Sequence, residues 1–219
     1  MSNRNPRRSL LLTALAIALS ASAGAALAAI TDAEFQSAFK TFQAAQKGDE
    51  AAVERAAEQF NDLLKADPGQ PVLMAYAGAA TALKAKTTVL PWKKMGHAED
   101  GLALIDKALA LLQPVHDTTL LNHTPVSLQT RFTAANTFLG MPSMFNRGAR
   151  GAKLLADVQN SPLLAQATPG FQGAVLMRAA ELAAKEFRTA DARRDLGDVI
   201  QRSLPQAEAA KAQLARLPQ

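Results

Sequence analysis

The feature that most constrains this chain is its punctuation. Helix-breaking clusters recur along it: Asp67-Pro68-Gly69-Gln70-Pro71, Pro114, Gly140-Met141-Pro142, Asn160-Ser161-Pro162 and Leu204-Pro205. Proline removes a backbone donor and glycine relaxes the backbone, so such clusters end helices. The pieces between them are one or two helices long and rich in Ala and Leu, both strong helix formers. Aromatic residues make up only 5% of the chain, and no long stretch alternates apolar with polar. Strands favour β-branched and aromatic residues in period two. The expected fold class is therefore all-α.

Local signals place the helices. Thr31-Asp32-Ala33-Glu34 is a capping box, and Phe35, Phe39 and Phe42 follow on one helical face. Asp49 is placed to cap a second helix that carries Val53, Ala56, Ala57, Phe60, Leu63 and Leu64. A third helix is expected over 71–86, a loop insertion over 87–96 and a fourth helix over 97–112. A linker covers 113–123. Thr124-Pro125 reads as a cap followed by Pro at the first helical position, opening a helix to about Leu139. Further helices are expected over 144–159 and 168–188, the latter with Phe171, Val175, Ala179, Leu182 and Phe187 on its apolar face. A last helical stretch covers 190–217 and breaks at Leu204-Pro205. Short connections make neighbours antiparallel, which gives four successive helical hairpins.

Residues 1–28 are expected to be a cleaved signal peptide. Arg4, Arg7 and Arg8 form a basic start, Leu10–Leu19 is apolar, and Ala26-Leu27-Ala28 fits an A-x-A cleavage site. The apolar run is short of the ~20 residues a membrane span needs. Arg7-Arg8-Ser9-Leu10-Leu11 partly matches a twin-arginine signal, but Pro6 precedes it and no Lys follows the leucines, so general secretion is the expected route. The mature chain would be periplasmic or secreted, with no transmembrane segment. The whole chain carries 24 basic and 19 acidic residues. Three of the basic ones lie in the signal, so the remainder exceeds the acids by only two, a weak basis for nucleic-acid binding. There is no cysteine, which excludes disulfides, thiolate metal sites and thiol catalysis.

Within this frame one segment has a recognisable spacing. Ala56-x3-Phe60, then Leu63, then Pro68 matches the second helix of a tetratricopeptide (TPR) repeat, whose period is ~34 residues. Tyr76 and Gly78 follow in a new first helix, with Gly78 where a small residue is wanted at a helix crossing. Ile105-x2-Ala108 before Pro114, Ala149-x3-Lys153-x2-Ala156, and Ala192-x3-Leu196-x2-Val199 before Pro205 are looser echoes. The chain thus resembles a TPR-like helical repeat protein over most of 31–217. The resemblance implies helical hairpins stacked as a short right-handed solenoid of about four pairs, making one domain over 29–219. It also implies that first helices line a concave face for a protein or peptide partner in the cell envelope. On that face it puts Lys40, Lys47, Ala75, Ala79, Gln129, Phe132, Asn136, Met177 and Glu181. Many are small or apolar, which suits an amphipathic segment of a partner or a small apolar ligand.

No catalytic or nucleotide-binding motif is present, so neither catalysis nor a cofactor is expected. His116, Asp117 and His123 cluster in the linker, but a metal site needs three or four converging ligands, and solvated histidines are the expectation. Glu99/Asp100 and Asp195/Asp198 are likewise expected on solvated faces. Trp92, Lys93, Lys94 and Met95 form the most distinctive segment, holding the only Trp. Trp92 is expected to fold back over the hairpin beneath it; exposed, it would anchor an interface or rest on an anionic membrane surface. Arg147, Arg150 and Lys153 share one helix side. They are expected to face solvent near paired carboxylates, with anion binding as the sharper alternative.

Overall fold

The computed structural model describes residues 30–218. The expected signal peptide, residues 1–28, lies outside them. The chain is all-α. Among the described residues ten α-helices follow in order: α1 (Asp32–Gln46), α2 (Glu50–Ala66), α3 (Pro71–Thr87), α4 (Pro91–Ala110), α5 (Val115–Thr118), α6 (Val126–Gly140), α7 (Gly148–Gln159), α8 (Pro169–Lys185), α9 (Thr189–Gln201) and α10 (Ala207–Leu214). Among the described residues the strand content is one small hairpin, β1 (Leu120–Leu121) and β2 (Thr124–Pro125).

The helices pair as α1/α2, α3/α4, α6/α7 and α8/α9, with α10 closing on α9. Successive pairs join through α2 on α3, α3 on α6 and α7 on α8. The result is a stack of four hairpins in which α1, α3, α6 and α8 run the same way. Helix α3 sits inside it: every residue from Pro71 to Ala80 is buried. A helix that is apolar all round belongs between neighbours, not at a surface. Five rings fill the core of the first pairs. Phe60 stacks on Tyr76 with centroids 4.9 Å apart, Phe35, Phe39 and Phe42 meet this pair edge-on, and Phe35 stacks on Phe39. The α3/α4 crossing is closer than any side chain would permit. A Cβ on Gly78 would lie 2.6 Å from the Gly101 carbonyl oxygen, and one on Gly101 would lie 2.5 Å from the Gly78 carbonyl.

Helix α1 begins at the expected box. The Glu34 amide donates to Thr31 Oγ1 at 3.3 Å, and the Thr31 amide donates to Glu34 Oε2 at 2.9 Å. Asp49 caps α2 by accepting from the Ala52 amide at 3.1 Å.

Two prolines exchange their expected roles. Residues 87–96 are not a loop insertion, because Pro91 starts α4 and leaves only 88–90 as a connection. Leu90 is held extended by the proline that follows (φ −82°, ψ 116°) and serves as the N-cap. Conversely, Pro125 does not open α6 as a first helical residue. It pairs with Leu120 across the hairpin, and the helix starts one residue later. Asn122 and His123 make the hairpin turn with φ of 50° and 55°, the left-handed pair that a two-residue turn requires. Linker 113–123 is thus partly structured, by α5 and this hairpin. Helix α7 starts at Gly148 rather than 144, since Ser143–Phe145 form a 3-10 turn that the left-handed Asn146 ends. Helix α8 stops at Lys185. Phe187 leaves the apolar face, taking φ 58° and lying 93% exposed.

Candidate functional site

A cleft of about 890 Å³ opens on the face shared by α1, α3, α6, α8 and α10. Its apolar surface comes from Phe35, Phe39, Phe42, Tyr76, Phe132 and Phe171, with Ala174 and Met177. Phe132 and Phe171 meet edge-to-face at 5.2 Å, which fixes the α6–α8 wall. The polar surface is mostly uncharged: Gln43 and Gln46 on α1, Thr133, Asn136 and Thr137 on α6, and Gln213 on α10.

Two carboxamides in the lining are already engaged. Gln129 is buried, and its Nε2 donates to the carbonyls of Leu121 at 2.6 Å and Thr124 at 3.0 Å, tying the β-hairpin to α6. Gln206 donates to the Gly170 carbonyl at 2.9 Å and ties α10 to the start of α8.

The charged groups in the lining are Arg178 and Glu181, which pair with each other at 2.6 Å. Burial works to raise the Glu181 carboxyl. The hydrogen bonds and charges of Lys185 and Arg178 outweigh it and hold the group below the usual carboxylate range. A carboxyl tuned to act as a general acid near neutral pH is shifted the other way. The Tyr76 hydroxyl is pushed up to about 12 by burial, offset in part by its hydrogen bond to Thr133. It stays protonated and serves packing and hydrogen bonding. The cleft therefore presents rings, carboxamides, hydroxyls and one Arg178–Glu181 ion pair, whose carboxylate Lys185 shares.

The structure brings Gln129, Phe132, Asn136, Met177 and Glu181 together in this lining. It does not bring Lys40 and Lys47 there. Both are exposed, while α1 turns its phenylalanines and Gln43 and Gln46 toward the cleft. Ala75 is fully buried, in a cluster with Met74 and Ala108, and does not reach the cleft. Ala79 borders a smaller hollow beside the main cleft. Sequence reasoning did not place in the lining the α1 phenylalanines, Tyr76, Phe171, Arg178 or the amides Gln43, Gln46 and Gln213. Gln43 and Gln46, three residues apart beside that aromatic face, were the available signal.

The remaining candidates fall elsewhere. Arg147 and Arg150 both pair with Asp106 of α4, the former at 2.9 Å, and both guanidinium groups lie over the Phe138 ring at 5.2 and 5.1 Å. Lys153 pairs with Asp157 at 2.7 Å. The row is engaged with the protein's own carboxylates. Trp92 does not fold back: it is 69% exposed in the first turn of α4, beside exposed Lys93 and Lys94, with Met95 half-buried. Asp195 departs from a solvated face. It is only 3% exposed, and burial raises its carboxyl against the opposing pull of Gln159 and Arg194. His116 Nδ1 accepts from the Gln113 amide at 2.9 Å, and Asp117 lies 3.8 Å from Arg131. Among the described residues no three His, Cys, Asp or Glu side chains gather as metal ligands, and no helix is long and apolar enough to cross a membrane. In comparison with known proteins, no family model matches the chain, and no curated protein or solved structure matches it.

Proposed function

We propose that this chain is an exported, TPR-like scaffold or adaptor that holds an uncharged, apolar segment of a partner protein in its cleft. The observation that carries the reading is the cleft's lining. Phe39, Phe132, Phe171 and Met177 give apolar area above the buried Phe35, Phe42 and Tyr76, and Gln43, Gln46, Asn136 and Gln213 supply donors and acceptors at its edge. A peptide backbone needs both kinds of hydrogen-bonding group, and carboxamides offer both. Charge in the lining is confined to Arg178 and Glu181, which pair at 2.6 Å, with Lys185 sharing the carboxylate and Arg178 Nε left without a partner. Four of the lining helices, α1, α3, α6 and α8, open successive hairpins, so a segment lying across them would touch every pair of the stack. The expected signal sequence supports a place in the cell envelope, with the periplasm as the compartment.

A second reading is favoured by one quantity. A volume near 890 Å³ also falls in the range of small-molecule pockets. A small apolar ligand carried for a transport system would fill it.

Native mass spectrometry of the chain purified from its own cells separates the two. The adaptor reading expects no retained small molecule. It also expects an envelope protein captured by the wild type and lost in Phe132→Ala and in Asn136→Trp, one of which removes a wall and the other fills the cleft. A stoichiometric small molecule released on denaturation would favour the carrier. Capture that persists in both variants would overturn the cleft as the site.

A further inference from the structure

Four large apolar side chains lie well exposed at one end of the stack. Val89 (87% exposed) and Trp92 (69%) flank the turn from α3 to α4, Met144 (68%) sits in the turn from α6 to α7, and Phe187 (93%) in the turn from α8 to α9. These turns follow first helices, which all run the same way. Residues from three such helix ends, Gln46, Lys86 and Gly140, border one small hollow and so mark this end of the molecule.

The charge at the Val89–Trp92 turn is one-sided. No acidic residue occurs between Asp67 and Glu99, while Lys84, Lys86, Lys93 and Lys94 all fall in that interval. Lys84 is held by Glu54 at 2.8 Å. Among the described residues Lys86, Lys93 and Lys94 have no carboxylate within salt-bridge distance, and all three are exposed. Helix α4 begins here with no side-chain cap, so its first-turn N–H groups add to the positive potential.

We propose that this end of the stack rests on an anionic membrane surface, with Val89 and Trp92 entering the headgroup region and Lys86, Lys93 and Lys94 lying against lipid phosphates. The combination selects a bilayer over a protein. Lysine is depleted in protein–protein interfaces. An apolar tip with Trp, ringed by lysines, matches the boundary between acyl chains and anionic headgroups. The exposed apolar residues at the opposite end, Val115 and Leu120, flank Asp117 and lack such a basic cluster. Val89, Trp92, Lys93 and Lys94 lie outside the cleft lining, Lys86 borders the hollow beside it, and the inference does not depend on the cleft's ligand.

Trp92 is the single tryptophan of the chain, so its fluorescence reads this site alone. The full chain is titrated with vesicles of phosphatidylglycerol and phosphatidylcholine, and with phosphatidylcholine alone. The expected result is a blue shift and protection from acrylamide on the anionic vesicles only, reversed by high salt. In Lys86→Ala/Lys93→Ala/Lys94→Ala, at about fivefold per lysine, the lipid needed for half the shift rises about 100-fold. Val89→Asp abolishes the shift while circular dichroism stays unchanged. Emission that remains that of a water-exposed Trp on anionic vesicles would overturn the proposal. So would an equal shift on neutral vesicles or in the triple variant, as under tethering from elsewhere in the chain. A Trp92 that ignores vesicles but shifts with lipid-free envelope proteins would replace the membrane with a protein and overturn it too.

Discussion

Gly78 and Gly101 set how closely α3 and α4 can approach, because each faces the other's backbone. A methyl group at either site must push carbonyl oxygens apart, and backbone cannot yield as a flexible side chain can. Gly101→Ala is expected to destabilise the fold by about 2–3 kcal/mol in urea unfolding, although alanine is the better helix former. Gly197 in α9 is the internal control, since a Cβ there meets nothing within 4 Å. Gly197→Ala should stabilise by up to about 1 kcal/mol. Two losses, or two gains, would contradict the packing account. At the start of α1, Thr31→Ala should cost about 1 kcal/mol and raise amide exchange in the first turn of the helix. The Glu34 carboxyl of the same box is held below its ordinary value by hydrogen bonds from the Thr31 backbone and side chain. Its contribution is therefore present above the unfolded-state pKa and fades as pH falls through the folded one. The Thr31→Ala defect should accordingly shrink in acid.

Among the elements, α7 depends on a clamp that its own sequence does not reveal. Asp106 of α4 receives both Arg147 and Arg150, and this bridge spans two hairpins. All three side chains remain partly exposed, so the expected loss in Asp106→Ala is modest, about 1 kcal/mol. Faster hydrogen exchange should appear in α7 while α1 and α2 stay unchanged; a uniform change would argue against a local clamp. Element by element, much of the fold was legible in the sequence. Caps and breakers are local chemistry, and Thr31, Asp49 and the 67–71 cluster act where spacing puts them. Proline was legible only in part. Pro91 and Pro125 look alike in sequence. What separates them is the β-hairpin that the Gln129 carboxamide pins to α6, a tertiary fact. Phe187 shows the same limit: its helical phase is apolar, but the chain turns at Glu186 before it can bury.

For the whole molecule, the stack brings helices far apart in sequence to one cleft. Phe39 and Gln213 share it across most of the chain, which no local pattern encodes. Phe132, Asn136, Met177 and Glu181 were legible because they lie on first helices at a constant phase. The α1 wall was not, because its phenylalanines serve both the core and the cleft. The function proposed for this cleft is to hold neutral, apolar peptide segments. The most direct measurement is selection from a random peptide display library by the purified chain, with Phe132→Ala and Asn136→Trp selected in parallel. The account predicts enrichment of uncharged sequences rich in aromatic and aliphatic residues by the wild type, and at least a tenfold loss of their affinity in both variants. Enriched peptides that are mainly acidic or basic, or that bind both variants as well as the wild type, would contradict it.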